Sequence, residues 1–130
     1  MIRLLNDYYR IDNCVSENDD TVWSITLLPE YQVYAGHFPG NPVSPGVCNI
    51  QMIKECVELA TGNRLFLSFI AKCRFSAVLS PLIAAGLRLR ATYNEVPGDG
   101  VKYISYNVHA TLFDDNTNYM DFKGDFTTCQ

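Results

Sequence analysis

Residues 36–47 of the chain are GHFPGNPVSPGV, and the organisation of the whole sequence can be worked out from this stretch. Its twelve residues contain three prolines, three glycines and His37, one of the two histidines in the chain. Each proline fixes its own φ angle and removes a backbone donor, so the stretch should form a stiff loop. The loop is therefore expected to hold one imidazole at a fixed distance from the element that follows it.

A helix is predicted directly after this loop. Ser44 can cap it, Pro45 suits the first helical position and Gly62 can end it. Apolar residues recur at helical spacing between these ends, and others widen the apolar arc to over half of the circumference. The first set is Gly46, Ile50, Ile53, Val57 and Ala60, and the second set is Met52, Cys56 and Leu59. Such an arc indicates a helix wrapped by other elements.

Strand-like stretches lie on both sides of the helix. Alternating polarity and turn signals such as PGDG at 97–100 and DDNT at 114–117 indicate β-strands joined by hairpins. Gly86 and Gly124 within strands indicate bulges or close backbone approach. The predicted strands are 7–15 and 21–29, then 64–76, 82–95, 101–113 and 118–128, with a turn at 17–20 and a loop over 30–44.

One antiparallel sheet wrapped around one buried helix satisfies this order of elements. The sequence therefore predicts an α+β fold in a single domain over residues 1–130, a length sufficient for one sizeable core. Such a sheet has long edge strands. Dimerisation is a common way to cover them.

Composition excludes several classes of function. The net charge is −4, and the densest basic cluster, residues 72–74, is too small to indicate nucleic-acid binding. No apolar run reaches the roughly 18–20 residues that span a bilayer, and the N-terminus lacks the features of a secretory signal, so a cytoplasmic location is expected. The five cysteines have no metal-ligand spacing and are expected to be reduced thiols.

The quoted stretch resembles the signature of one family. The pattern GHFPG-x-P-V-x-P-G before an apolar helix is similar to that of the hot-dog-fold 3-hydroxyacyl-(acyl-carrier-protein) dehydratases, and residues 36–46 match it throughout. The resemblance extends from about residue 7 to residue 126 and implies a hot-dog fold. A second stretch is similar to the K-x-RF…P strand of the family through Lys72, Arg74, Phe75 and Pro81.

The resemblance implies that water is removed from a 3-hydroxyacyl thioester to give a trans-2-enoyl thioester. His37 would act as the base, because its unperturbed pKa of about 6.5 suits proton transfer near neutral pH. The N–H groups near Gly46 and Val47, at the positive end of the helix, would bind the thioester carbonyl. Phe38 and Pro45 would complete the substrate-binding surface.

One position departs from the family. The family carries a carboxylate fourteen residues after the histidine, whereas this chain has Gln51. An amide cannot act as a general acid, but it can orient the 3-hydroxyl group or hold a water molecule. Three alternatives remain open: Glu55 substitutes for the acid, His37 acts as base and then as acid, or Gln51, Glu55 and Glu58 line a solvated face.

The resemblance implies an acyl carrier protein as partner, with the substrate on its phosphopantetheine arm, and assembly as a homodimer or trimer of dimers. Lys54, Lys72 and Arg74 are candidates for contact with the acidic carrier. No cofactor and no metal is implied. The change at Gln51 favours a specialised lipid, polyene or polyketide pathway over primary fatty-acid synthesis.

Two other functions fit the same residues. A hot-dog acyl thioesterase often uses amide side chains on this helix, which suits Gln51, although the HFPG loop argues against it. A catalytically silent acyl-binding subunit that has lost its acid is the third hypothesis. Cys48 is expected to be a packed thiol rather than the partner of His37, and His109 is expected to be solvated.

Overall fold

The computed structural model describes residues 3–36, 40–96 and 102–129. Within these residues the chain forms six β-strands and two helices, and neither helix is long and apolar enough to span a membrane. The elements are β1 (Tyr9–Glu17), β2 (Asp20–Leu27), α1 (Val33–Gly36), α2 (Gly46–Thr61), β3 (Leu65–Phe75), β4 (Leu87–Val96), β5 (Ser105–Phe113) and β6 (Asn118–Thr128).

The six strands form one antiparallel sheet in the order β1-β2-β4-β5-β6-β3. Three strands separate β2 from β3, although only α1, α2 and their loops lie between them in the chain. The polypeptide must therefore cross the sheet between these two strands, and α2 lies within this crossing. The predicted arrangement of one antiparallel sheet around one long helix is confirmed.

The buried side of α2 is centred on Met52, Ile53, Cys56 and Val57, none of which is more than 1% exposed. These side chains join residues from the sheet in a single hydrophobic cluster, as the apolar pattern predicts. Leu59 and Ala60, also predicted to be buried, are exposed. The buried arc is narrower than predicted because the sheet of one chain covers only part of the helix circumference.

The two ends of α2 differ in how well they were predicted. Gly62 ends the helix in the left-handed region at φ 74°, and its N–H donates to the carbonyl oxygen of Glu58 at 2.8 Å, as expected for a glycine cap. The prediction that Ser44 caps the helix is wrong. Pro45 occupies the capping position without a side-chain cap, because the Ser44 hydroxyl bonds to Tyr34 instead.

Local turn chemistry explains the other boundary differences. The first hairpin turns on Asn18 and Asp19 alone, with Asn18 at φ 55°, so β1 extends two residues further than predicted. Residues 82–86, predicted as strand, precede β4, because Gly86 adopts φ 69° immediately before it. The helix α1 lies in the stretch predicted as loop, where it buries the Tyr34 ring.

Gly124 on β6 permits a close approach by β3, as predicted. A Cβ atom there would lie 2.4 Å from the carbonyl oxygen of Phe69. Two bulges interrupt the β3–β6 register at this point, between Leu67 and Phe69 and between Ile70 and Lys72.

The two edges of the sheet differ in character. The edge strand β1 is mostly polar, carries the Arg10–Asp12 ion pair and contains a register shift, all of which discourage further strand pairing. The opposite edge strand, β3, exposes apolar side chains along its length. These are Phe66, Leu67, Phe69, Ile70 and Phe75.

Candidate functional site

His37 lies in the chain between the end of α1 and the start of α2. His37, Phe38 and Pro39 lie outside the described residues, so the roles predicted for His37 and Phe38 stay predictions. The described chain resumes at Gly40, in the left-handed region at φ 76°. The loop therefore connects two helices whose positions are defined.

A buried polar network holds both ends of this loop. The Tyr34 hydroxyl and Ser44 Oγ share a hydrogen bond of 3.1 Å, and the Ser44 N–H donates to the Leu79 carbonyl at 2.7 Å. Next to them the Tyr8 hydroxyl donates to Asn49 Oδ1 at 2.7 Å, and the Tyr8 ring stacks on Tyr34. Burial raises the pKa of both tyrosines, so both hydroxyls stay protonated at neutral pH. The network fixes the segment on either side of His37.

The start of α2 presents its first backbone N–H groups without a side-chain cap. Pro45 is extended at φ −67° and ψ 137°, and its carbonyl oxygen accepts from the N–H groups of Cys48 and Asn49. Within the described part of the chain, no acceptor reaches the N–H groups of Gly46 and Val47. Because these donors lie at the positive end of a 16-residue helix, the position suits a carbonyl oxygen that gains negative charge.

A cavity of about 190 Å³ opens beside this helix start. Gly46, Asn49 and Phe75 line it, together with the loop after β3. The Phe75 ring lies against Gly46 so closely that a Cβ atom there would be 2.4 Å from Phe75 Cζ. Glycine at this position lets the ring lie directly over the helix start, and a side chain there would displace the ring.

A larger cavity of about 400 Å³ lies along the helix, between α2 and the first residues of β3. Val47 and Gln51 line it from the helix, and Leu65 and Leu67 line it from the strand. Gly46 borders the smaller cavity and Val47 the larger one, so the start of α2 is adjacent to both cavities.

Gln51 and Glu55 are both buried, so the solvated-face alternative is wrong for these two residues. The Gln51 Nε2 group donates to Glu55 Oε2 at 2.7 Å. Glu55 also accepts from the N–H groups of Leu4 and Leu5, at 2.8 and 2.9 Å, and from the Tyr9 hydroxyl at 2.9 Å. Because four donors occupy its two oxygens and it borders neither cavity, Glu55 does not substitute for the missing acid.

The three predicted carrier contacts occupy different environments. Lys54 lines the larger cavity, where its Nζ donates to the Leu65 carbonyl at 3.2 Å and lies 3.8 Å from Glu58 Oε2. Lys72 and Arg74 are exposed on the edge strand β3, near Phe75. All three stay predictions, and Lys72 and Arg74 are the two with exposed side chains.

The remaining candidates behave as packing or surface residues. Burial raises the pKa of the Cys48 thiol, opposite to the lowering expected at a helix start, and the residue packs against the core. His109 is exposed on β5. Asn49, which is buried and bonded to Tyr8, had no predicted role, although a polar residue on the apolar face of a helix is the signal that would have revealed it.

Comparisons with known proteins bear on the family and the fold of this chain. A family model described as ApeI-like, for ApeI dehydratases, matches residues 13–112. Among solved structures, the dehydratase heterocomplex ApeI:P from Xenorhabdus doucetiae contains a chain that is 18% identical, with a TM-score of 0.62 over 92% of this chain and 96% of that one. This likeness confirms the predicted hot-dog fold.

A second solved structure is Cj0977, a sigma28-regulated virulence protein from Campylobacter jejuni. It is 12% identical, with a TM-score of 0.50 over 91% of this chain and 82% of that one. No curated protein matches the sequence.

Proposed function

Because the chain belongs to the ApeI-like dehydratase family, whose model matches residues 13–112, we propose that it converts 3-hydroxyacyl thioesters on an acyl carrier protein to trans-2-enoyl thioesters. The observation that carries this proposal is the uncapped start of α2. Two N–H groups there, which lack an acceptor among the described residues, lie beside a largely apolar cavity and follow the segment with His37.

The thioester carbonyl binds at the N–H groups of Gly46 and Val47. Removal of the C2 proton places negative charge on the carbonyl oxygen, and the helix start is oriented to stabilise that charge without rearrangement. Loss of one such donor in comparable sites costs about 2.7–4 kcal/mol of transition-state stabilisation.

His37 carries out both proton transfers in this proposal. It takes the proton from C2 as a base, and the C2=C3 double bond forms as the C3–O bond breaks. The imidazolium then gives that proton to the departing hydroxyl group, which leaves as water. One residue must do both because Gln51 cannot donate a proton as an acid and the Glu55 carboxylate is fully occupied by donors.

Gly46→Ala should lower kcat/KM for dehydration by about tenfold, which is about 1.4 kcal/mol. The new Cβ atom would lie 2.4 Å from Phe75 Cζ, so the ring must move and the surface over the helix start changes. The double variant Gly46→Ala/Phe75→Ala removes that clash and should recover activity toward that of Phe75→Ala alone. Equal losses with and without the Phe75 ring would contradict this packing account.

A second copy of the chain is proposed to cover the edge strand β3. Its apolar side chains are exposed, whereas the other edge, β1, is polar and interrupted. A stable interface needs a largely apolar core, which β3 and the exposed Val47 supply. The solved relative is described as a heterocomplex. A homologous chain could therefore cover β3 in place of a second copy, and a measurement of the oligomeric state distinguishes the two.

Antiparallel pairing of two β3 strands would combine the two cavities. Phe75, beside the helix start, lies at the end of β3, whereas Leu65 and Leu67, beside Gln51, lie at its beginning. A two-fold axis through the middle of the strand would therefore bring the helix start of one protomer toward the partner's Gln51. In this arrangement the larger cavity receives the acyl chain, and Lys72 and Arg74 lie on the rim for the acidic carrier.

Phe69→Lys, in the middle of β3, should convert a dimer to a monomer and lower dehydration with it, because it places a charge in the apolar edge. Val15→Lys is the matched control, since Val15 is also exposed but lies on β1. Sedimentation velocity measures the oligomeric state of both variants. A wild-type chain that is monomeric alone but pairs with a homologous chain would favour the heterocomplex, and dissociation by Val15→Lys but not Phe69→Lys would contradict the β3 interface.

Product analysis tests the proposed reaction. The purified protein is incubated with 3-hydroxyacyl and trans-2-enoyl thioesters of acyl carrier protein, and acyl products and free thiol are both quantified. Interconversion of the two thioesters supports dehydration. Release of free thiol without enoyl product would establish a thioesterase, and acyl binding without either product would establish a silent subunit.

A further inference from the structure

Glu55 has no remaining capacity to form ordinary hydrogen bonds in its plane. Its Oε1 accepts from the Leu5 N–H and the Tyr9 hydroxyl, and its Oε2 accepts from the Leu4 N–H and Gln51 Nε2. Burial raises the pKa of Tyr9 well above its usual range, so its hydroxyl remains a donor. With Leu4, Leu5 and Tyr9 fixed in the N-terminal segment, the carboxylate is held at one place against α2.

This arrangement determines how the Gln51 amide is oriented. A carboxylate can only accept, so the Gln51 NH₂ group must face it. The reverse orientation would place the Gln51 carbonyl oxygen about 2.7 Å from Glu55 Oε2, with no proton between two acceptors. The identity of residue 55 therefore selects one of two amide orientations.

The carbonyl oxygen of the Gln51 amide points away from Glu55, because the NH₂ group faces the carboxylate. Gln51 lines the cavity of about 400 Å³, and in the described residues no donor reaches this oxygen. Lys54, the nearest cation along the helix, donates to the Leu65 carbonyl at 3.2 Å and lies 3.8 Å from Glu58 Oε2. The Gln51 oxygen is thus available to accept a hydrogen bond from a group in the cavity.

We propose that Glu55 is a positioning residue that holds the Gln51 carbonyl oxygen toward the cavity, where it accepts a hydrogen bond from the 3-hydroxyl group of the substrate. The inference rests on the proposed function and adds a specificity to it. A 3-hydroxyl group can donate, whereas a 3-oxo group can only accept. The site therefore selects 3-hydroxyacyl over 3-oxoacyl groups before any chemistry occurs.

Affinity for two unreactive ligands tests this selection. The probes are the 3-hydroxyhexanoyl and 3-oxohexanoyl amides of pantetheine, in which NH replaces the thioester sulfur, and binding is measured by calorimetry. The wild-type protein should prefer the 3-hydroxy ligand by about tenfold. Gln51→Met, which removes the acceptor, should abolish the preference.

Glu55→Gln should reduce the preference to about threefold or less, because an amide at position 55 no longer forces one orientation on Gln51. Glu17→Gln removes the same charge from an exposed site on β1 and should keep the full preference. A full preference in folded Glu55→Gln would overturn the role of Glu55, and equal wild-type affinities would overturn the whole inference.

A spectroscopic measurement covers the case in which Glu55→Gln does not fold. In ¹⁵N spectra of the wild-type protein, the held Gln51 amide should give two resolved side-chain NH signals that exchange slowly with solvent. Fast exchange would overturn the proposed orientation. If neither ligand binds the wild-type protein, the acyl site of the proposed function fails. If both ligands bind equally, the inference about Glu55 and Gln51 fails and the proposed function stands.

Discussion

Exchanging two side chains, in the variant Gln51→Glu/Glu55→Gln, should raise kcat for dehydration by about 10²-fold, the lower end of the contribution of a placed general acid. Gln51 borders the larger cavity and Glu55 does not, so the exchange moves the carboxyl group to the cavity side while the two positions stay hydrogen-bonded to each other. Single-turnover rates of enoyl formation measure the effect.

The single variants serve as controls for this exchange. Gln51→Glu alone places two carboxyl groups about 2.7 Å apart, which raises the pKa of the new group, since two like charges disfavour ionisation. A raised folded-state pKa means that the stability present at low pH is lost as the pH rises through that value. The free energy of unfolding of this variant should therefore fall with rising pH, unlike that of the exchange variant.

The exchange also lowers the stability of the fold. The NH₂ group of an amide at position 55 would face one backbone N–H of the N-terminal segment, and two donors cannot bond to each other. One unsatisfied buried group costs about 1–3 kcal/mol, which denaturant unfolding measures. A folded exchange variant whose dehydration rate matches that of wild type would contradict the view that a missing acid limits the reaction.

The fold was predictable because local signals agreed with the tertiary arrangement. Gly62 ends α2, and the 114–117 turn joins β5 and β6, as their residue types require. Ser44 failed as a cap for a tertiary reason: its hydroxyl bonds to Tyr34, a residue in a short helix that has no periodic pattern of its own. The sequence alone does not show which of two possible partners a side chain such as Ser44 will bond to.

The polar side of the site was less predictable for the same reason. A helical projection correctly places Gln51 and Glu55 on one face. The projection does not show whether that face contacts solvent or forms a buried site for a carboxylate. The donors that distinguish them come from Leu4, Leu5 and Tyr9, about fifty residues earlier in the chain. A buried carboxylate requires such partners, and only the packing of the N-terminal segment on α2 reveals them.

His37→Ala should lower kcat for dehydration by about 10²- to 10⁴-fold, the usual contribution of a general acid–base residue, and toward the upper end if one imidazole performs both transfers. His109→Ala is the matched control, since it removes the other histidine from an exposed position on β5 and should leave the rate unchanged. Affinity for the unreactive 3-hydroxy ligand should change little in both variants, because the carbonyl still binds at Gly46 and Val47. Dehydration that survives the loss of His37 would remove this residue from the mechanism and would leave the helix start as a binding site without a base.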